Sequence, residues 1–309
     1  MRLRRSAKTL LATAASLLTL VTVPGTARSE SSLACYNAIT TVRARAGLPG
    51  ASRSPVLERA ALSHARYRAR WDAAGLAENP HAESSGHAGF TGRLPWDRTR
   101  HAGLRSGTWL AQGEDLTTGV NLRADQLHGV RSWIDAPYHR FPLLDANTRR
   151  VGCAQAQAGS HAAEVLEMVT PTGPQARVLT LYPGNRQTGV PVRFNRASEF
   201  PTPFRGARTA VVGYVVSVQA TGWAQLKVSG MRLARGSQAL AIYRAVHLAA
   251  VPALRGSVDA ELPANAAMMA ATAPLAAHTR YTATVAGYVR VTSRAPWQPF
   301  RRVWTFTTA

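Results

Sequence analysis

Apolar residues recur at helical spacing through the first part of the chain. The pattern predicts one amphipathic helix over residues 33–46. It predicts a second from Pro55 to about Gly75, because Ser54 can cap that helix and proline is tolerated in a first turn. A third helix is predicted over residues 121–134.

Two prolines follow the third predicted helix. Pro137 and Pro142 are both expected to stop a helix, because proline lacks the backbone N–H group. The pattern therefore predicts that His139 lies in a short turn between them. Strand-like runs come next, at residues 151–156, 163–169 and 176–181.

The composition changes after about Thr172, where prolines and glycines become frequent and alternating patterns replace helical ones. Several short runs carry β-branched and aromatic residues, and they lie at 211–218, 224–228, 239–245, 281–291 and 303–308. This pattern predicts a second, all-β domain over residues 176–309, built as a β-sandwich.

The N-terminal segment has the pattern of a secretory signal peptide over residues 1–27. A basic start precedes the apolar run of residues 9–23, and Gly25-Thr26-Ala27 is a small-x-small cleavage pattern. The apolar run is short for a membrane anchor, which needs about 20 residues. We therefore expect a secreted or cell-envelope protein with no transmembrane segment in the mature chain.

Charge and cysteine content add two expectations. The chain has 37 basic and 16 acidic residues, a net charge of +21, which would attract anionic polymers or lipids. No nucleic-acid recognition motif accompanies this charge, so specific nucleic-acid binding is not expected. Cys35 and Cys153 are the two cysteines, and such a pair is expected to form a disulfide in an oxidising compartment.

Candidate chemistry concentrates in a polar, glycine-rich loop at residues 76–106, which holds His81, Glu83 and His87. A loop of this length without regular structure is typical of a functional segment. Glu114 follows it, in Gly113-Glu114-Asp115, and His139 comes later. Imidazole and carboxylate groups of this kind can bind a metal or form a hydrogen-bonded network.

These features together resemble the CAP superfamily of cysteine-rich secretory, antigen 5 and pathogenesis-related proteins. The resemblance rests on YNAITTVRARAGLPG, LERAALSHARYRARW, HAESSGHAGFTGRLPWDRTR, the GED triplet and VRSWIDAPYHRFPLLDANTRRVGCA, in that order. It covers about residues 33–181 and is closest to the bacterial secreted branch. The second domain is similar to bacterial immunoglobulin-like domains, through its opening YPG and closing WTFTT segments.

The resemblance implies an α+β fold: an α-β-α sandwich CAP domain over residues 31–175, followed by the immunoglobulin-like domain. It implies a cleft in which His81 (or His87), Glu114 and His139 converge, with Glu83 in place of a second, helix-borne glutamate. Asp115 departs from the family pattern, in which asparagine is usual. Zn²⁺ is a candidate ligand of His81, Glu114 and His139.

The leading hypothesis is a secreted CAP-domain protein whose His/Glu cleft binds a ligand, with a divalent metal as a candidate cofactor. Cell-wall or anionic envelope components are candidate partners. One alternative is a metal-assisted, peptidase-like hydrolase, and another is an extracellular lipid or sterol carrier. No serine or cysteine nucleophile motif points to other enzyme chemistry. We therefore assign no residue a catalytic role.

Overall fold

The structure is a computed structural model that describes residues 27–76, 79–121, 123, 128–247 and 257–309. The predicted signal peptide, except for Ala27, lies outside these residues. None of the helices in the described ranges is long and apolar enough to cross a membrane.

The first half mixes helices and strands. Its helices are α1 (Ala27–Arg45), α2 (Pro55–Ala73), α3 (Pro95–His101), α4 (Gly129–Asp135) and α5 (Pro137–Leu143). Its strands are β1 (Ser52–Arg53), β2 (Trp109–Val120), β3 (Arg150–Ala158) and β4 (His161–Pro171). This content confirms the predicted α+β class.

One four-stranded sheet, in the order β1-β3-β4-β2, organises this half. Helix α2 covers one face, where its alanines Ala61 and Ala65 pack against Ala163 and Val165. Helices α1 and α4 cover the other face through residues such as Ile39 and Trp133. The side chains of successive residues in a strand point to opposite faces of the sheet. Two neighbouring residues of β2 therefore have different surroundings.

Three local predictions were wrong. The helix predicted over residues 121–134 is described from Gly129, and Asn121, Arg123 and His128 are not helical; residues 122 and 124–127 lie outside the described residues. Helix α4 ends at Asp135, as expected before Pro137, but Pro137 also begins α5, since the first turn needs no N–H donor, and Pro142 lies in the last turn of α5. His139 is therefore helical. The loop of residues 76–106 also contains α3.

The second half, in its described elements, consists of strands apart from one short 3-10 helix at Arg196–Ser198. It contains β5 (Val178–Tyr182), β6 (Gln187–Val190), β7 (Arg193–Asn195), β8 (Val211–Gly213), β9 (Val216–Thr221), β10 (Gln225–Arg235), β11 (Gln238–Ala239), β12 (Ile242–Val246), β13 (Ser257–Val258), β14 (Ala266–Ala271), β15 (Arg280–Arg290) and β16 (Gln298–Thr308). Two five-stranded sheets form, in the orders β11-β10-β15-β16-β6 and β13-β12-β14-β9-β5. The finer assignment of this half as immunoglobulin-like stays a prediction.

The apolar core is continuous between the two halves. Trp133 and Leu143 of the first half belong to the same buried cluster as Val218 and Trp304 of the second. Phe141 joins a smaller cluster around Val215 and is 2% exposed. The second half thus packs directly against α4 and α5. The predicted division at residues 175 and 176 stays a prediction.

The disulfide between Cys35 and Cys153 is confirmed. It ties α1 to β3 across a sequence separation of 118 residues. Closing a loop of this length stabilises a chain by about 4–5 kcal/mol in the chain-entropy model. Helix α1 is therefore held to the sheet by a covalent link as well as by packing.

Gly152 sets how closely α2 approaches the sheet. A Cβ at this position would overlap backbone atoms of Leu57 and Glu58 in the first turn of α2. We expect Gly152→Ala to lower the free energy of unfolding by about 3 kcal/mol, because overpacking forces backbone shifts. Urea unfolding would measure the loss. Gly86→Ala is the control, since nothing lies within 4 Å of a Cβ there; equal losses in both variants would contradict the packing argument.

Candidate functional site

His81 and Glu114 meet at the edge of a buried group of charges. His81 Nδ1 lies 2.9 Å from Glu114 Oε1. The His81 side chain is 40% exposed, whereas the Glu114 side chain is 1% exposed. His81 is therefore the surface member of the pair, and Glu114 anchors it from within the protein.

Arg98 of α3 supplies the main positive charge beneath His81. Its guanidinium donates to Glu114 Oε2 at 2.5 Å and to the His81 carbonyl at 3.1 Å. The Arg98 side chain is fully buried. A charge-assisted bond of this kind is stronger than a neutral one, and it compensates for burying both groups.

His64 of α2 and Glu83 form the second buried pair. His64 Nδ1 lies 2.9 Å from Glu83 Oε1, and Nε2 lies 3.0 Å from the Pro80 carbonyl oxygen. Both ring nitrogens thus face oxygen acceptors, and a doubly protonated ring would donate to both. Glu83 also accepts a hydrogen bond from the Thr91 N–H at 2.7 Å.

Glu167 completes this cluster, which we call the buried charge network: His64, Glu83, Arg98, Glu114 and Glu167. Glu167 pairs with Glu114 across β2 and β4. Burial and the neighbouring Glu114 charge raise the pKa of Glu167 well above its usual value. Burial also disfavours ionised Glu114, but the His81 hydrogen bond and the charges of His64 and Arg98 outweigh it and lower the pKa of Glu114 to about 2.

His139 lies on the opposite face of the sheet. Asp115 follows Glu114 in β2, so its side chain points away from the buried charge network. It is the Asp115 carboxyl, and not Glu114, whose charge acts on His139. The structure therefore brings His81 to Glu114 and does not bring His139 to them, contrary to the predicted convergence.

A glutamate from the second half holds His139. His139 Nδ1 lies 2.8 Å from Glu199 Oε1, and the Tyr138 N–H donates to Glu199 Oε2 at 3.2 Å. The Tyr138 hydroxyl donates to Asp259 Oδ2 at 2.6 Å. Neither Glu199 nor Asp259 is predicted from the sequence, because each is a single acidic residue in a segment with no motif.

His139 and Asp115 have shifted pKa values for related reasons. Burial lowers the pKa of His139, but the Glu199 hydrogen bond and the charges of Asp115 and Glu199 raise it overall. Burial raises the pKa of Asp115 to about 8, helped by Glu199 and Glu114 and opposed by His139. Asp115 Oδ2 has no hydrogen-bond partner among the described residues.

His87, the alternative to His81, is placed elsewhere. Its Nδ1 lies 2.9 Å from the Tyr67 hydroxyl oxygen, and its ring stacks on Trp71 with centroids 4.3 Å apart. The same Tyr67 oxygen accepts from the Ser84 N–H at 2.9 Å. His87 therefore helps to order the loop that carries Glu83, and it does not contact the His81–Glu114 pair through these bonds.

The predicted zinc ligands do not fit a zinc ion as they are arranged. One Glu114 carboxylate oxygen is hydrogen-bonded to His81 and the other to the cationic Arg98, so neither is free to bind zinc. His139 lies on the opposite face of the sheet. Among the described residues, one group of three His, Cys, Asp or Glu ligand atoms lies within 4.8 Å, namely Cys35, Cys153 and Glu164. Its two cysteines form the disulfide, so they offer no thiolate.

Three residues of the buried charge network are not predicted as site residues, although the sequence contains a weak indication of each: His64, Arg98 and Glu167. His64 lies on the apolar stripe of α2, which is typical of a core histidine. Arg98 lies within the WDRTR segment that carried part of the family resemblance. Glu167 interrupts a strand that is buried on both faces. A buried acid in such a strand requires a partner or a proton.

The shifted pKa of Asp115 predicts a pH-dependent stability. Between pH 4 and 8 the folded protein keeps a proton on Asp115 that the unfolded chain loses, since the folded pKa is about 8 and the ordinary value is 3.8. The unfolding free energy therefore falls as pH rises through this range, by at most about 1.4 kcal/mol per pH unit. His139, with a raised pKa, contributes in the same direction.

We expect Asp115→Asn to flatten this fall and to be more stable than the parent protein at pH 8. Unfolding free energies from urea titrations at pH 5, 6.5 and 8 would measure it. Glu261→Gln is the control, because Glu261 is exposed. A slope unchanged by Asp115→Asn would show that Asp115 ionises normally in the folded protein.

Comparison with known proteins points to one family for the first half. Residues 36–169 match the CAP family model, described as the cysteine-rich secretory protein family. No curated protein matches the chain significantly.

Two solved structures show limited similarity. The first is an extracellular protein containing a SCP domain from Bacillus anthracis str. Ames, with 13% identity and a TM-score of 0.35 over 46% of this chain and 41% of that one. The second is an outer surface protein from Borrelia burgdorferi, with 17% identity and a TM-score of 0.35 over 46% of this chain and 94% of that one. The chain thus spans less than half of the first protein, and both TM-scores are too low to establish a shared fold. It is the family match over residues 36–169 that supports the CAP superfamily for the first half of this chain.

Proposed function

We propose that this is a secreted, cell-envelope protein of the bacterial CAP branch, whose first half binds a polar ligand at His81. The observation that supports this proposal is the partly exposed His81 ring, which is held in place by the buried ion pair between Glu114 and Arg98. The second half is proposed to be an immunoglobulin-like module that supports the first. Proteins that this chain resembles at low identity are described as extracellular or outer surface proteins.

The proposed ligand contact is His81 Nε2. In the neutral ring whose Nδ1–H donates to the ionised Glu114, Nε2 has a free lone pair. A ligand hydroxyl or amide N–H can donate to that atom. Glu114 cannot rotate away to follow the ligand, because Arg98 holds its other oxygen. The ring is therefore pre-oriented, which reduces the entropy lost on binding.

The hydrolase alternative is less well supported by this arrangement. It requires a metal, and the fit to zinc is poor for the reasons given above. The lipid-carrier alternative requires an apolar groove, whereas the side chains packed beside His81 are charged: Glu114, Arg98 and Glu83. We therefore favour recognition of a polar ligand over either alternative.

Secretion makes a direct prediction. When the full chain is expressed with its leader in a bacterial host, we expect the exported protein to begin at Arg28, after the Gly25-Thr26-Ala27 pattern. Mass spectrometry of the protein recovered outside the cytoplasm would measure the N-terminus. Ala27→Leu is expected to slow this cleavage, because the site requires a small residue. Accumulation of the uncleaved chain in the cytoplasm would contradict secretion.

Ligand recognition is tested with insoluble bacterial cell-wall material as the probe. We expect the fraction of protein that co-sediments to fall several-fold in His81→Ala, since the contact atom is lost. The assay is run at about 0.5 M NaCl, where charges are screened beyond about 4 Å and general attraction of a basic protein is suppressed.

His101→Ala is the matched control, because His101 is an exposed histidine at the end of α3. Equal co-sedimentation of the two variants and the parent protein would overturn the proposed role of His81. Arg98→Lys gives a second comparison: it keeps the charge but loses the fixed fork of the guanidinium, so intermediate binding is expected.

A further inference from the structure

One sheet of the second half carries basic residues and no acidic ones. The strands β6, β10, β11, β15 and β16 form this sheet. Their sequences contain no Asp or Glu and seven basic residues, Lys227, Arg232, Arg235, Arg280, Arg290, Arg301 and Arg302. The whole chain has 16 acidic residues, so a basic sheet with none of them is a local concentration of charge.

Strand register places five of these residues on one face. In β15, Tyr281, Ala283 and Val285 are buried in the core of the sandwich, so the alternate residues Arg280 and Arg290 face outward. Residues paired directly across strands share a face. Lys227 pairs with the outward Tyr288, Arg232 with Thr284, and Arg301 with Ala286. The basic face is defined by Lys227, Arg232, Arg280, Arg290 and Arg301.

These charges are not neutralised within the protein. Among the described residues, no ion pair involves any of the five. Their recorded contacts are to neutral groups: Arg232 donates to the Ser237 carbonyl at 2.9 Å, and Arg280 donates to the Thr305 hydroxyl at 3.3 Å. Arg290 bonds the Gln225 side chain and stacks on Trp297 at 4.5 Å. Arg232, Arg280 and Arg301 are exposed.

The spacing of the charges suits an extended ligand. Strands lie about 4.8 Å apart and rise about 3.3 Å per residue, so Arg232 in β10 and Arg301 in β16 are separated by about 12 Å between Cα atoms. Groups spread at this distance do not converge on one small anion. They can each contact a different charge along a linear polyanion, and each contact releases counterions.

We propose that the basic face binds a linear anionic polysaccharide. The positive charges are interspersed with hydroxyl side chains, Thr282, Thr284 and Thr305, which can bond sugar hydroxyls. Tyr288, 40% exposed, is the exposed aromatic residue among the outward positions. Single-stranded nucleic acid is bound by several stacking rings, and a membrane surface by several projecting apolar side chains. Tyr288 and Val303 are the two large apolar side chains exposed on this face, so the charged and hydroxyl groups outnumber them and neither alternative is favoured.

The site is separate from the proposed ligand contact at His81, which lies in the first half. The inference therefore goes beyond the proposed function, and the two can fail independently. His81→Ala is expected to leave polysaccharide binding unchanged, and loss of the basic face is expected to leave high-salt co-sedimentation with cell-wall material unchanged.

Binding of the full chain to size-defined heparin, a sulfated polysaccharide, tests the proposal. Affinities are measured by calorimetry between 50 and 300 mM NaCl. The double variant Arg232→Gln/Arg301→Gln is expected to bind about 10-fold more weakly at low salt. The slope of log affinity against log salt should also fall by about 1–2, one for each lost phosphate-like contact.

The matched control is Arg45→Gln/Arg105→Gln, which removes the same charge from exposed arginines outside the basic face. We expect this control to change the affinity less than about 2-fold, since only charges on the basic face contact the ligand. Equal losses in the two double variants would show that net charge alone drives binding, and would overturn the proposal.

Two further measurements distinguish loss of the binding charges from misfolding of the basic face, and polysaccharide from other polyanions. Arg232→Lys/Arg301→Lys preserves the charge and is expected to restore most of the affinity, which a merely misfolded face would not allow. Binding is also measured to a thymidine oligonucleotide and to vesicles containing anionic phospholipid. If either depends on Arg232 and Arg301 more strongly than heparin does, the polysaccharide assignment is wrong.

Discussion

The contact of the buried Arg140 guanidinium with both halves of the chain is the interaction on which the rest depends. Arg140 donates to the Ile134 carbonyl at 2.7 Å and to the Val215 carbonyl at 2.9 Å. Its plane lies over the rings of Tyr182 and Tyr214, at 4.7 and 5.3 Å from their centroids. Because this residue follows His139 in α5, fixing it also fixes where His139 can point. A cation buried this deeply persists only when its donors are satisfied.

That constraint explains why the chain has two polar clusters instead of one. With α5 held against the second half, His139 meets Glu199 on one side of the sheet, while His81 meets Glu114 on the other. The adjacent carboxylates of β2 respond to these two surroundings. Glu114 is next to Arg98 and has a pKa of about 2, whereas Asp115 is buried without a cation of that strength and has a pKa of about 8. Strand alternation alone separates the two environments.

The predictions that succeeded rested on local physics. Residues 33–46 and 55–75 have the helical spacing that predicts α1 and α2, Ser54 caps α2 as expected, and the two cysteines have one possible pairing. The failures came from interactions distant in sequence. No strand is predicted over residues 109–120, which form β2 because they pair with β4, about 50 residues further along the chain. The family resemblance implies that His139 converges with His81 and Glu114, and no local pattern reveals that Glu199, 60 residues later, is its partner.

Charge is likewise hard to interpret from the sequence, because a count of arginines does not show which are buried structural donors and which are exposed. Arg43 donates to the carbonyls of Leu143, Asp145 and Thr148, and burial lowers its pKa to about 10, so it is still a cation at neutral pH. Arg43, Arg98 and Arg140 are therefore buried structural donors and contribute little to attraction at the surface. Arginine suits this role because its planar group offers five donors and is weakly hydrated. The charge available to a partner must then come from exposed positions, and the sheet that lacks acids concentrates it.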